Sequence, residues 1–264
     1  MQGVLNYILY TSLPKYISSH LSSPLYYPVV VGGFDVMRCV RKTPFMEALM
    51  TSDIDLDFVI RPRHDKNRAE FEKAIKEADV ARNLLANSLV ADKPLQDDIQ
   101  KRMPGSRLMR EQIADPSGKL VYRLILYHGE SRYILMDISL FSSQNSKHFG
   151  EYLTTEHPNP IPYILHKQIP FATCNYVYYD TLRMLSWSKA QLMEPTLTEK
   201  SILFYFGKLL KYVMKYSALH IALKGKSPKH AKLFKESFKI FQEVQKTPNK
   251  LRKRLLQLVN SNQL

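Results

Sequence analysis

Residues 51–60 read Thr-Ser-Asp-Ile-Asp-Leu-Asp-Phe-Val-Ile, which alternates acidic and apolar side chains. Successive side chains of a strand point to opposite faces, so this alternation predicts a half-buried strand over 54–60. One face of that strand is apolar, and the other carries Asp53, Asp55 and Asp57. We take Asp57 to be a solvated acid, which leaves Asp53 and Asp55 as the candidates for chemistry.

Two further features lie on predicted strands on either side of this one. Upstream, the β-branched run 27–31 ends in Gly32-Gly33 and is followed by helical spacing, although the chain has only nine glycines in 264 residues. A glycine turn lets a polyphosphate approach the backbone, and the N-terminus of the next helix offers N–H donors. Downstream, the apolar strand-like run 132–141 carries Asp137 at its centre.

These acids and glycines together fit phosphoryl transfer. Asp53 and Asp55 are two residues apart on one strand, so they share a face and can hold two divalent ions about 3.5–4 Å apart. Clustered carboxylates repel one another, and bound Mg²⁺ or Mn²⁺ removes that repulsion. Asp137 would complete the site if its strand lies beside the first, and Gly32-Gly33 would seat a triphosphate.

In this order the motifs resemble the nucleotidyltransferase superfamily typified by DNA polymerase β and poly(A) polymerases. The family pattern is hG[G/S], then Dh[D/E]h, then h[D/E]h, where h is apolar. Gly32-Gly33, the run Asp-Ile-Asp-Leu at 53–56 and the run Met-Asp-Ile at 136–138 fill it. The resemblance implies ATP as substrate, two Mg²⁺ or Mn²⁺ ions at Asp53, Asp55 and Asp137, and nucleotide contacts from Gly32, Gly33 and Ser52.

The rest of the sequence predicts an α+β domain followed by an all-helical one. Strand-like runs at 119–127 and 132–141 are joined by a tetrad that predicts a hairpin, and everything after about residue 175 reads as helix. We therefore expect a nucleotidyltransferase palm, a mixed sheet with flanking helices, over 1–170. A helical lobe that binds nucleotide or RNA is expected over 171–264.

Other segments give weaker predictions of local structure. Residues 1–22 read as helix broken by Pro14, and 66–90 as a helix of mixed charge. Residues 92–118 read as loops around a short helix. The run 157–170 carries four prolines and predicts a rigid connector.

The net charge of +14 is concentrated in the last 64 residues. That segment has 14 Lys or Arg and two acids, a net of +12, whereas the first 200 residues have 24 bases and 22 acids. Such asymmetry favours a polyanionic partner, usually nucleic acid and less often a membrane surface. Phenylalanines between the bases of the end, from Phe234 to Phe241, fit either an amphipathic helix or stacking on RNA.

The helical part is similar to that of the poly(A) polymerases of large cytoplasmic DNA viruses, of the poxvirus, asfarvirus and mimivirus type. The similarity rests on the run Tyr-Tyr-Asp-Thr-Leu-Arg-Met-Leu at 178–185 and on the Lys-bearing helix after it. It implies a lobe that closes over the nucleotide, with Lys208, Lys211 or Lys215 reaching phosphates. The three lysines share one helix face, so a solvated basic face is the other interpretation. Asp180 and Arg183 are spaced for an intrahelical ion pair.

The cysteines and the hydropathy pattern predict the compartment. Cys39 and Cys174 cannot form a zinc site alone, and we expect two reduced thiols in an intracellular compartment, the host cytoplasm for a viral protein. No apolar run approaches the ~20 residues that span a bilayer, so no transmembrane segment is expected. The metal-binding pattern upstream favours nucleic acid over a membrane surface, so no membrane partner is expected. No basic residue precedes the first apolar ones, so no signal peptide is expected.

The sequence thus predicts a template-independent nucleotidyltransferase that adds AMP from ATP to RNA 3′ ends. Its partners would be the RNA 3′ end, the nucleoside triphosphate and a stimulatory protein subunit. The viral polymerases are usually longer than this chain. Two alternatives to poly(A) synthesis stay open. One is nucleotidyl transfer to tRNA, protein or a small molecule. The other is an inactive nucleotidyltransferase fold that serves as an RNA-binding subunit.

Overall fold

A mixed sheet of seven strands forms the first part of the chain in the computed structural model. The structure describes residues 1–20, 23–40, 53–61, 67–114, 120–141, 161–194 and 196–246. The chain divides into two compact units, Met1–Tyr176 and Val177–Leu264. The α+β class predicted from the sequence is confirmed, since all seven strands lie in the first unit and the second is helical where it is described.

The strands are β1 (Tyr26–Val31), β2 (Ile54–Ile60), β3 (Arg107–Ala114), β4 (Leu120–His128), β5 (Ser131–Phe141), β6 (Tyr163–His166) and β7 (Ile169–Ala172). They lie in the order β3-β4-β5-β2-β1-β7-β6. The β2–β5 and β1–β7 pairs are parallel, and the other neighbours are antiparallel. The predicted strand over 54–60 and the predicted β4–β5 hairpin are both confirmed.

The α-helices within the described ranges are α1 (Gln2–Tyr7), α2 (Leu13–His20), α3 (Gly32–Cys39), α4 (Arg68–Ala91), α5 (Lys93–Arg102), α6 (Cys174–Leu192), α7 (Glu199–Lys224) and α8 (Pro228–Lys246). Of these, α4 and α8 show how sequence sets the helix start. Asn67 caps α4, because its side-chain oxygen accepts hydrogen bonds from the N–H groups of Ala69 and Glu70. Pro228 opens α8, where a missing N–H costs nothing.

One face of the sheet carries the core of the first unit. Ile54, Leu56 and Phe58 of β2 are fully buried on it, and the same core contains residues of α1, α2, α4 and α5. Arg82 of α4 is anchored to this face, since its Nη1 donates to the backbone oxygens of Leu120 and Ile138. This buried layer holds β2 and β5 side by side, and the opposite face is left to the acidic side chains of β2.

Pro14 does not break the first helical region. A π-helical turn, Ile8–Ser12, joins α1 to α2 without interruption, so the predicted break is wrong. Proline has no N–H, and its ring collides with the carbonyl four residues earlier in a regular helix. A wider π turn just before Pro14 relieves that collision.

Two segments predicted as irregular contain strands. The prediction of loops around a short helix over 92–118 is wrong for Arg107–Ala114, which is β3, although the short helix is present as α5. This strand is at the edge of the sheet and is polar and partly exposed, so it lacks the apolar alternation of a buried strand. The predicted connector 157–170 also contains β6 and the start of β7, and its first four residues lie outside the described ranges.

The prediction of two reduced thiols is wrong, because Cys39 and Cys174 form a disulfide. They are 135 residues apart in the sequence, and the fold brings their Cα atoms to 5.5 Å. The bond joins the end of α3 to the start of α6. Arg38 adds a second link nearby, since its Nη2 donates to the backbone oxygen of Ala172 and its Nε to Asp35.

The second unit is built from α7, α8 and most of α6. Its core contains Leu192, Phe206, Leu209 and Leu210. The predicted intrahelical pair between Asp180 and Arg183 is confirmed. Among the described helices of both units, none combines the length and apolar character that a bilayer span requires.

Candidate active site

Three carboxylates from two neighbouring strands meet at one place on the sheet. Asp53 immediately precedes β2, Asp55 is on β2, and Asp137 is on β5. Asp55 and Asp137 are directly opposite each other in the parallel β2–β5 pair. One oxygen from each of the three carboxylates lies within 4.8 Å of the others, and all three residues are half-buried. The structure therefore brings together the three acids that the sequence singled out.

The donor set suits a hard divalent cation. Carboxylate oxygens are the ligands that Mg²⁺ and Mn²⁺ prefer in proteins. Ligands of one Mg²⁺ lie roughly 3–4 Å apart, because each is about 2.1 Å from the ion. The oxygens of Asp53, Asp55 and Asp137 lie within 4.8 Å of one another, close to that spacing, so these residues fit such an ion.

Gly32 has a steric reason of its own to be glycine. Its φ is +77°, a left-handed conformation that other residues adopt only with strain. A Cβ built there would overlap the carboxylate of Asp55. Val31, the residue before it, is opposite Asp55 in the antiparallel β1–β2 pair. The glycine turn is thus fitted to one of the acids, and Gly33 follows it in the first turn of α3.

Asp137 is held by an arginine that sequence reasoning missed. Arg123 of β4 donates from Nε to one oxygen of Asp137 at 2.7 Å and from Nη2 to the other at 2.6 Å. The two side chains are only 20% and 17% exposed. Hydrogen bonding to Asp137 raises the pKa of Arg123, and burial opposes this shift. The third carboxylate of the site is therefore bound at both oxygens by one guanidinium.

A β-bulge in the β4–β5 pair brings Arg123 opposite Asp137. Near the hairpin turn Tyr127 pairs with Arg132, a register that would place Met136 opposite Arg123. The register shifts by one residue between Leu124 and Ile125, so Asp137 is opposite Arg123 instead. Because a one-residue shift moves side chains to the other face, the bulge places Asp137 on the face that carries Arg123.

The row of charges continues to the edge of the sheet. Glu111 of β3 is opposite Arg123 and accepts hydrogen bonds from the Tyr127 hydroxyl at 2.7 Å and from Arg132 Nη2 at 2.6 Å. The hydrogen bond from Tyr127 lowers the pKa of Glu111, with a smaller contribution from Arg132. Glu111, Arg123, Asp137 and Asp55 therefore follow one another across four adjacent strands.

The remaining predicted site residues are either outside the described residues or in the second unit. Ser52 lies outside the described residues. Lys208, Lys211 and Lys215 are on α7 in the second unit, where Lys215 is only 5% exposed. Its Nζ is 5.7 Å from the centroid of the Tyr212 ring, so Lys215 does not belong to a fully solvated face. A role for the three lysines in nucleotide binding stays a prediction.

Comparisons with known proteins add little. No family model matches the chain, and no curated protein matches it either. Among solved structures, the chain is similar to the crystal structure of an antigenic nucleotidyltransferase-like protein from Paracoccidioides brasiliensis, with 12% identity and a TM-score of 0.34. The match covers 88% of this chain and 93% of that one. At so low a TM-score the likeness carries no weight for the function of this chain.

Proposed function

We propose that this protein is a metal-dependent nucleotidyltransferase, which moves a nucleotide from a nucleoside triphosphate to an acceptor hydroxyl. One observation carries the proposal, the convergence of Asp53, Asp55 and Asp137 beside the glycine turn. An isolated acidic strand face is common on protein surfaces. Three half-buried carboxylates on in-register parallel strands, next to a strand–glycine–helix turn, are the parts that phosphoryl transfer needs.

Each residue has a distinct part in this proposal. Asp53 and Asp55 would hold two Mg²⁺ or Mn²⁺ ions, and Asp137 would complete the site on the side of the acceptor. The ions, when bound, neutralise charge on the phosphates and lower the pKa of the acceptor hydroxyl. The turn at Gly32 and Gly33 would seat the triphosphate at the start of α3, where helix N–H groups favour anions.

The finer proposal is that the nucleotide is AMP, from ATP, and that the acceptor is an RNA 3′ end. Its support is the distribution of charge, because the second unit presents a basic surface. Among the described residues of this unit, seven lysines are exposed, namely Lys189, Lys224, Lys226, Lys229, Lys232, Lys235 and Lys239. Lysines of this kind neutralise backbone phosphates without regard to sequence, which suits an enzyme that extends RNA without a template.

The proposal includes the partners and the compartment expected from the sequence. RNA and ATP would be substrates, Lys208, Lys211 and Lys215 candidate phosphate contacts, Ser52 a candidate nucleotide contact, and a second protein a stimulatory subunit. An intracellular location, the host cytoplasm for a viral protein, goes with these substrates. The Cys39–Cys174 disulfide is the feature that fits a reducing compartment least.

A primer-extension assay tests both levels of the proposal. The protein is incubated with a labelled RNA primer and each nucleoside triphosphate in turn, with Mg²⁺ or Mn²⁺. A ladder that requires ATP supports poly(A) synthesis. Addition of one nucleotide, or label on tRNA, protein or a small molecule, supports transfer to another acceptor and excludes the finer proposal. Salt-sensitive RNA binding without transfer points to an inactive RNA-binding subunit.

Substitutions connect the activity to the carboxylates. Asp53→Ala and Asp55→Ala should each reduce transfer by at least about a thousandfold, because the ions lose a ligand that no neighbour replaces. Asp97→Ala is the matched control, since Asp97 is an exposed acid of α5. Circular dichroism should show all three variants folded. A fully active Asp53→Ala/Asp55→Ala double variant would exclude the assignment.

A further inference from the structure

The contact between Arg123 and Asp137 is more ordered and more buried than a typical surface ion pair. Both oxygens of Asp137 accept from one guanidinium, at 2.7 and 2.6 Å, and both side chains are mostly buried. A planar guanidinium that binds both oxygens fixes the plane of the carboxylate, which a lysine ammonium does not do. A carboxylate has about four lone-pair positions, so two remain for other ligands.

The charge of Arg123 also matters for the three acids. Asp53, Asp55 and Asp137 are close enough for one oxygen of each to lie within 4.8 Å of the others, and together they carry three negative charges when ionised. Arg123 offsets one of these charges. Asp53 contributes to the raised pKa of Arg123, behind the larger effect of Asp137, so the arginine interacts with more than its direct partner.

We infer that Arg123 is a positioning residue of the divalent-metal site, which fixes the orientation of Asp137 as a ligand and sets the net charge that a cation meets. The inference rests on the proposed function, since it assigns a role within that site. Arg123 acts through Asp137 and does not itself bind the ion. Its orientation of the carboxylate strengthens cation binding, whereas its positive charge weakens it.

Two substitutions separate orientation from charge. Arg123→Lys keeps the charge and loses the planar fork, so we expect the Mn²⁺ affinity to fall about tenfold, as is typical when a residue that orients a metal ligand is lost. Arg123→Gln loses both. Removal of a nearby positive charge strengthens the binding of a cation. Arg123→Gln should therefore bind Mn²⁺ about tenfold more tightly than Arg123→Lys.

The affinity is measured by titrating each purified full-length variant with Mn²⁺ and following the free ion by electron paramagnetic resonance. Arg132→Gln is the matched control, because Arg132 also pairs with an acid on this face but contacts Glu111 and none of the three aspartates. It should keep the wild-type Mn²⁺ affinity within about twofold. At saturating Mn²⁺, transfer should be about tenfold or more slower in both Arg123 variants, because Asp137 is no longer held in place.

The outcomes separate this inference from the proposed function. If the wild-type protein binds no Mn²⁺, the site and the role of Arg123 are both refuted. If the wild type and both Arg123 variants bind Mn²⁺ with the same affinity, only the role of Arg123 is overturned. The Arg123–Asp137 pair is then a structural contact. If Arg123→Lys keeps the wild-type Mn²⁺ affinity and transfer rate, the positive charge alone is sufficient. The positioning role of Arg123 is then wrong. Mn²⁺ binding without transfer to any acceptor contradicts the proposed function and still tests Arg123.

Discussion

The two units of the molecule use charge in opposite ways. In the first, a few acidic and basic side chains occupy fixed positions along one row of the sheet, where register and hydrogen bonds determine their distances. In the second, many lysines are exposed along α8 and the turn before it. Fixed, half-buried charges suit chemistry at a single point. Exposed, repeated charges suit the binding of a polyanion, in which each contact contributes a small and similar amount.

If this contrast is real, single substitutions should have large effects in the sheet and small, additive ones in the helical unit. After loss of a carboxylate itself, the largest effect should come from Gly32→Ala. Its Cβ would displace the Asp55 carboxylate, so we expect about a hundredfold loss of transfer. The positive φ should also lower the free energy of unfolding by roughly 1–2 kcal/mol. Urea unfolding and the primer assay measure the two quantities.

Gly105→Ala is the matched control for this substitution. Gly105 has the same φ of +77°, but a Cβ there would meet nothing within 4 Å. It should therefore lose a similar amount of stability and keep full activity. Equal losses of activity in the two variants would mean that Asp55 does not depend on the glycine turn.

The next largest effect should follow reduction of the Cys39–Cys174 disulfide. The bond closes a loop of 135 residues in the first unit, and its loss should reduce the unfolding free energy by about 2–4 kcal/mol. Differential scanning calorimetry with and without dithiothreitol, together with a Cys39→Ser/Cys174→Ser variant, measures the change. A thiol titration that finds two free cysteines in the untreated protein contradicts the pairing.

A smaller effect per residue is expected on the lysine surface of the second unit. Replacement of Lys229, Lys232 and Lys235 by Gln should weaken binding to single-stranded RNA about tenfold and reduce the slope of log affinity against log salt by about two. Fluorescence anisotropy over a salt series measures both. The control replaces three exposed lysines of the first unit, Lys73, Lys76 and Lys93. Equal losses in the two triple variants would remove the contrast between the units.

The smallest effect should be a pH dependence confined to the second unit. His220 and His230 stack with ring centroids 3.6 Å apart, and burial lowers the pKa of His230, with further lowering from His220 and Lys229. The neighbouring Tyr178 hydroxyl lies 3.1 Å from Nδ1 of His220, and the Tyr216 ring packs on His230.

The sign of this dependence follows from the lowered pKa. Unfolded His230 binds a proton near pH 6.5, more readily than the folded residue, so the stability from the neutral ring is complete above that pH. It is lost as pH falls through the folded pKa. Thermal melts at pH 7.5 and 5.5 should show a steeper fall for the wild type than for His230→Phe, which keeps an aromatic ring without a proton to gain. Equal falls would contradict the effect.

The sequence predicts those site residues that lie in a local pattern of apolar and polar side chains. The alternation around Asp55 defines the strand and its acidic face, and apolar neighbours place Asp137 on another strand. These patterns are local because burial of one strand face imposes a period of two on the residues themselves. The helices of the second unit are predicted for the same reason, since helical spacing is visible along the sequence.

The features that the sequence did not predict depend on contacts between segments that are separated in the chain. Arg123 meets Asp137 only because a bulge shifts the β4–β5 register by one residue, and no residue in the hairpin marks that shift beforehand. The edge strand β3 has no apolar face to give it a period, so hydrogen bonding to β4 decides its structure. Cys39 and Cys174 become neighbours through the tertiary fold, which spacing along the chain does not reveal.

Direct measurement of Mn²⁺ binding tests the central claim, that the carboxylates of β2 and β5 form a divalent-metal site. Isothermal titration calorimetry would compare the wild-type protein with Asp55→Asn and with Asp97→Asn, which removes an exposed acid elsewhere. We expect the wild type and Asp97→Asn to bind Mn²⁺ with similar affinity and Asp55→Asn to bind it at least about tenfold more weakly. Equal Mn²⁺ binding by all three proteins would contradict the claim.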